Sequence, residues 1–284
     1  MSTDTQHGWS FLRSRRWLGY FALFIVFSIA CVWLGNWQFE RRAEARAEIA
    51  RIDANYDAAP LALSDALPDP TSFDEDEHKW QPVEVRGEYL DGVYLARNRP
   101  GPQGVGSNLI QAFRDERGQV FFVDRGWVAV SGADEVPANL PVARGGEITV
   151  LARLRASEPE IQGRSSAGNS VASINLPELA RLSGTSDTAL TGAYGQLISE
   201  APSSETGVLA ERPERDEGPH LSYALQWYVF ILIAGIGVAY AARQEYRNLN
   251  AGGESVRRED ARRAERKLRR GPSDAEEEDA LLER

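Results

Sequence analysis

Two charge-free apolar runs stand near the two ends of the chain, and a polar, strand-patterned stretch lies between them. Neither Trp17 to Phe39 nor Leu221 to Ala242 contains a charged residue. At a rise of about 1.5 Å per residue each run makes a helix of roughly 33 Å, enough to cross the hydrocarbon layer of a bilayer. The first run exceeds the ~7–15-residue apolar core of a cleaved signal peptide, and no small-residue cleavage site follows it. It reads as a retained span, with an uncleaved signal anchor of no further role as the plainer alternative. Trp17 and Tyr20 mark one of its ends and Trp33 and Trp37 the other, the placement of interfacial aromatic belts.

Between the spans the period changes. Arg41 to Arg51 is rich in Ala, Glu and Arg and predicts a helical continuation of the first span. Pro60 to Glu77 reads as a loop. Pro82 to Tyr89 then alternates apolar and polar residues, and Asp91-Gly92 is a turn signal before Val93 to Ala96, so these two runs predict a hairpin. Leu109–Phe113, Gln119–Val130, Glu147–Leu154 and Gly192–Ile198 predict further strands, and Pro177–Leu182 a short helix capped by Asn175. The expected class is an α+β membrane protein, two transmembrane helices flanking an antiparallel β-rich domain built as a small sheet or barrel. Its segments are residues 1–16, a span over 17–39, the β-rich domain over 40–219, a span over 220–242 and a charged tail over 243–284.

Charge sets the expected topology. Arg243, Arg247, Arg257, Arg258, Arg262, Arg263, Arg266, Lys267, Arg269 and Arg270 follow the second span, while only Arg212 and Arg215 closely precede it. Basic flanks stay inside, so both termini are expected in the cytoplasm and the central domain outside it, in a multi-pass protein of the cell membrane. In the tail, Glu254 with Arg258, Glu259 with Arg263 and Glu265 with Arg269 are spaced to support a solvated helix, and the acidic run Asp274–Asp279 reads as disordered.

Composition narrows the chemistry. A net charge of −10 argues against nucleic acid as a partner. The single cysteine, Cys31, lies in the first span and excludes an intrachain disulfide and a thiolate cluster. With histidines only at 7, 78 and 220, a multi-ligand metal cage is not expected, and what the composition leaves open is a single axial histidine. Helical spacing puts His220, Ala224 and Trp227 on one face with Tyr223 beside it, an imidazole near an indole and a phenol. Two readings stand: interfacial anchoring of the second span, or a strip for a planar apolar ligand with one coordinating metal. Ser222 and His78 come with no nucleophile motif, and no catalytic constellation emerges, so the chain is not read as an enzyme.

Three segments carry a resemblance: Leu34-Gly35-Asn36-Trp37-Gln38-Phe39-Glu40-Arg41-Arg42, Val123-Asp124-Arg125-Gly126-Trp127-Val128, and His220-Leu221-Ser222-Tyr223-Ala224-Leu225-Gln226-Trp227-Tyr228. In that order they resemble the surfeit-locus family of cytochrome c oxidase assembly factors, in its bacterial members. Arg86-Gly87-Glu88-Tyr89 resembles a fourth, weaker segment. The chain departs from the family in having Ala129 after the middle segment and Gly218-Pro219 before the histidine. The resemblance implies assembly of an aa3-type terminal oxidase. The partners it implies are the catalytic subunit and the proteins that make and deliver haem a, with haem a bound transiently. It makes His220 the candidate axial ligand of the haem iron and Tyr223 and Trp227 candidate walls. Trp37, Gln38, Arg125, Gly126 and Trp127 take contact or structural roles. A scaffold that binds oxidase subunits without any cofactor is the alternative.

Overall fold

A computed structural model of the chain describes residues 8–129, 140–164, 166, 168–251 and 253–270. The acidic run Asp274–Asp279 and Val130 of a predicted strand lie outside them. The described chain divides into two compact units, one made of residues up to Ala43 and from Gly218 onward, the other of Glu44–Glu217.

The first unit is helical. α1 (Arg15–Asn55) contains the first apolar run and continues through the predicted Arg41–Arg51 segment, its last turns belonging to the second unit. α5 (His220–Leu249) contains the second run, and α6 (Glu254–Arg270) follows it. Both long helices hold an 18-residue stretch apolar enough to cross a membrane, of which only 11 % and 6 % is buried. A core helix of a soluble protein would be mostly covered, so these faces call for an apolar medium.

The two helices meet along a narrow antiparallel seam. On α1 the covered positions include Trp17, Phe21, Phe24, Ser28, Cys31, Gly35 and Gln38; on α5 they include His220, Ala224, Trp227, Ile231, Ala234, Gly235, Val238 and Ala242. Steps of mostly four and three residues keep one stripe on one side of a helix, the spacing of coiled-coil packing. Phe24 packs at Gly235, Gly35 at the ring of Tyr228, and the indole of Trp17 donates to Glu245 over 3.0 Å.

The second unit is a small barrel. Its strands are β1 (Leu61–Ala62), β2 (Pro82–Gly101), β3 (Gly104–Asp115), β4 (Val120–Ala129), β5 (Ile148–Ala156), β6 (Ser170–Val171) and β7 (Ala193–Ala201). They hydrogen-bond in the order β1-β2-β3-β4-β7-β5, and β5 pairs back onto β2, which closes the ring. Every long pairing is antiparallel, and β4 joins β7 through a short parallel stretch at Val123↔Gly195 and Asp124↔Gln196. The predicted loop contains two single-turn helices, α2 (Leu63–Ala66) and α3 (Glu75–His78). α4 (Leu176–Leu182) forms as expected, with Asn175 Oδ1 accepting from the Glu178 amide at 3.0 Å.

The predicted hairpin at Asp91-Gly92 does not form. Pro82 to Gly101 is one continuous strand, and the register slips between Tyr89↔Phe113 and Val93↔Gln111. Asp91 and Gly92, the latter at φ +94°, are part of a bulge. A bulge and a tight turn both recruit Asp-Gly for its tolerance of left-handed backbone; the bulge bends the strand and leaves its direction unchanged. β2 pairs with β5 over Pro82–Gly87 and with β3 from Gly87 to Gly101 across the bulge, and this sharing of one strand between two neighbours closes the barrel.

Alternation along the strands fills two cores. Val83, Val85, Phe113, Phe121, Val123, Val150, Ala152 and Leu154 form one cluster. Ile110, Phe122, Val171 and Tyr194 turn the other way and meet Leu176 and Leu179 of α4. β4 is buried from Val120 to Trp127, on both faces.

Candidate functional site

The first candidate site is the end of the helical pair where α5 begins. Nδ1 of His220, half-buried, lies 2.8 Å from Oε1 of Gln38 on α1. With the amide oxygen accepting, the imidazole donates from Nδ1 and its Nε2 keeps a lone pair. Among the described residues Nε2 makes no hydrogen bond. A Cβ built on Gly218, which adopts φ +69°, would stand 3.4 Å from Nε2. About two helical turns into α5, the Tyr228 hydroxyl donates to Asn36 Oδ1 over 3.0 Å. Gly35 permits that approach, since a Cβ on it would sit 3.0 Å from the Tyr228 ring.

The other residues of the apolar strip divide. Trp227 is on the covered face with His220 and the fully buried Ala224, edge-on to Phe230 at 5.7 Å between ring centroids. Tyr223 is exposed and off that seam, and Trp37 is exposed with the Arg41 guanidinium 5.7 Å above its ring. The structure brings His220 and Gln38 into contact and leaves Tyr223 and Trp37 as apolar surface at the same end of the pair.

The second candidate site is in the barrel, on β4. Arg125 is fully buried. It donates to Gln111 Oε1 at 3.0 Å and to the Glu205 carbonyl at 2.7 Å, and it faces the buried Glu200 carboxylate at 3.6 Å. Its guanidinium lies 4.8 Å from the centre of the Tyr89 ring, and the Tyr89 hydroxyl donates to Glu200 over 2.9 Å. Burial first, then the charge of Glu200, push the Tyr89 hydroxyl far above the usual phenol range. A buried cation with a carboxylate, a carbonyl and an amide around it is a structural clamp.

Its neighbours point to the opposite side of the strand, into a cavity of about 470 Å³ lined by Arg99, Asn108, Asp124, Gly126, Trp127 and Gln196 among others. Burial pushes Asp124 up to about 6, while the Gly126 amide (3.1 Å) and the Asn108 side-chain amide (2.7 Å) hold it partly back. The Trp127 indole donates to the Arg99 carbonyl over 2.9 Å, and Gly101 and Gly106 pack flat on its ring. Gly126 adopts φ +107°, and a Cβ there would meet the Gly207 carbonyl carbon at 2.8 Å. That position has room and backbone freedom for glycine alone.

Four segments that stand far apart along the sequence thus meet in two pairs. The exit of α1 meets the start of α5 through Gln38 and His220, and the Arg86–Tyr89 segment meets the Asp124–Trp127 segment through Tyr89 and Arg125. The model of the SURF1 family matches residues 25–232, a range that holds all four. The chain belongs to the SURF1 family. SURF1-like proteins of Mycobacterium bovis and of two strains of Mycobacterium tuberculosis, each named as uncharacterized, are 34 % identical over 246 residues. The matched stretch covers 84 % of this chain and 88 % of each relative. SURF1 proteins are a family of oxidase assembly factors and are not an enzyme class, and the two apolar helices mark this member as a membrane protein. Gln111, Glu200 and Glu205, which complete the Arg125 clamp, carry no sequence signal of their own. The resemblance of two segments, the one that holds Arg125 and the one that ends in Tyr89, pointed toward that site.

Proposed function

We propose that the chain is a non-catalytic, membrane-anchored assembly factor that holds haem a as cargo for the catalytic subunit of cytochrome c oxidase. Nε2 of His220 is the iron-binding atom in this reading. The observation that carries it is the 2.8 Å contact between His220 Nδ1 and Gln38 Oε1. Metal-binding imidazoles characteristically donate from their second nitrogen to a fixed acceptor, which selects the tautomer and orients the ring. The surroundings fit a planar apolar cargo: Tyr223, Leu221, Leu225 and Trp37 present apolar surface at the same end of the helical pair. A ferric or ferrous haem bound there would supply the visible absorption by which its occupancy is read.

The charge bias after α5 supports an orientation with both termini in the cytoplasm, so that His220 would sit at the outer face of the cell membrane. The barrel would then face outward and engage the nascent oxidase subunit. The second reading keeps this engagement and omits the haem. It is favoured by the depth of the clamp at Arg125, which makes the barrel a rigid binding body in its own right.

In a strain lacking the chromosomal copy, wild type and His220→Ala are expressed at equal levels and the haem a content of the assembled oxidase is measured. The first reading predicts that His220→Ala leaves the oxidase deficient in haem a while still co-purifying with its catalytic subunit. Full haem a content with His220→Ala would leave only the scaffold reading.

A further inference from the structure

We propose that the elbow between α5 and α6 is a docking surface for anionic phospholipid headgroups, on the membrane face where α5 emerges. α6 begins beyond residue 232, where the family match ends, so the proposal is independent of the haem reading.

The charge-free run of α5 ends at Ala242, and Arg243 and Arg247 follow one turn apart. α6 crosses α5 at that level. Glu259 accepts two hydrogen bonds from Arg243, at 3.0 and 3.1 Å, Asp260 pairs with Arg247, and Val256 is buried at the crossing. Trp9 stacks on Tyr246 at 4.5 Å between centroids, an aromatic pair of the kind that settles in the headgroup layer. Around these residues lies a cavity of about 570 Å³ lined by Trp9, Arg243, Tyr246, Arg247, Val256 and Glu259. The two guanidinium groups here are already paired with Glu259 and Asp260, so the aromatic walls suit the glycerol stem of a phospholipid and the charge that meets its phosphate comes from α6.

The pairing pattern leaves the outward charge of α6 positive. Glu259 and Asp260 are taken up by the arginines of α5, and Glu254 and Glu265 by Arg258 and Arg269 of the same helix. Arg257, Arg262, Arg263 and Arg266 are exposed and make no ion pair among the described residues. Four like charges on less than three turns repel one another unless anions gather beside them. A bilayer supplies those anions at the height of the elbow. Each arginine near an acidic surface favours the bound state by about fivefold.

The full-length chain is reconstituted in nanodiscs of phosphatidylcholine alone or with phosphatidylglycerol added, and amide hydrogen exchange is followed across Glu254–Arg270. Phosphatidylglycerol is expected to slow exchange there by roughly tenfold or more. The slowing should vanish in about 0.5 M salt and in the Arg257→Gln/Arg262→Gln/Arg263→Gln/Arg266→Gln variant. Exchange in the barrel is the measure that the variant is folded. Equal exchange in the two lipids, or slowing that survives both salt and the variant, would overturn the proposal.

Discussion

Asp124 shows what a buried carboxyl does when a cation, Arg99, acts on it without forming an ion pair among the described residues. It accepts from an amide side chain and a backbone N–H, and burial still pushes it up to about 6. The folded chain therefore keeps this proton to a higher pH than the unfolded chain, whose aspartates release theirs near ~4. Between those values the unfolded state binds fewer protons, so Asp124 contributes stability below about pH 4 that is lost as pH rises through about 6. The loss is on the order of 3 kcal/mol. Asp124→Asn, neutral at every pH, should gain on wild type by that amount between the two limits, read from urea midpoints followed by tryptophan fluorescence. Parallel profiles for the two proteins would contradict the burial of Asp124. Its neighbour Arg125 shows the limit of reading residues one at a time. The Asp-Arg-Gly-Trp segment stood out in the sequence, but Gln111 on the one hand and Glu200 with Glu205 on the other are brought to Arg125 by two distant stretches of chain. No local pattern links them.

At the level of elements, the long helices and most strands were legible, because apolar runs and alternation are local signals. Asn175 capped α4 for the same reason. Asp91-Gly92 was misread because bulge and turn share one residue chemistry, and what separates them is pairing with β3, far along the chain. Barrel closure through β2 and β5 was illegible on the same ground. The tail was half legible: Glu254–Arg258 and Glu265–Arg269 pair within α6 as its spacing predicts, but Glu259 turns to Arg243 on α5 and the helix is docked there. The helical seam adds a requirement the apolar runs did not show, a small residue where Tyr228 crosses α1. Gly35→Val would push the Tyr228 ring away and break its bond to Asn36. Overpacking of that kind costs about 1–3 kcal/mol. The expected result is a lower melting temperature of the helical unit in nanodiscs, with the barrel's own transition unmoved; an unchanged helical transition would mean the seam is loose at that point.

For the whole molecule the open question is which side of the membrane each unit faces, and a single-cysteine experiment decides it. In a Cys31→Ser background, Ser64→Cys in the barrel unit should react with a membrane-impermeant maleimide in intact spheroplasts, and Ala264→Cys in α6 should react only after lysis. The reverse pattern would invert the proposed orientation. The proposed haem-carrying function rests on a smaller point, the second nitrogen of one imidazole. Full-length wild type, Gln38→Leu and His220→Ala are to be purified from cells making haem a, and their visible spectra recorded with haem per chain. Wild type should retain haem a with the spectrum of a histidine-bound iron, Gln38→Leu should retain less, and His220→Ala should retain almost none while eluting as a folded protein. Equal haem in wild type and His220→Ala would contradict the assignment of His220 as the ligand.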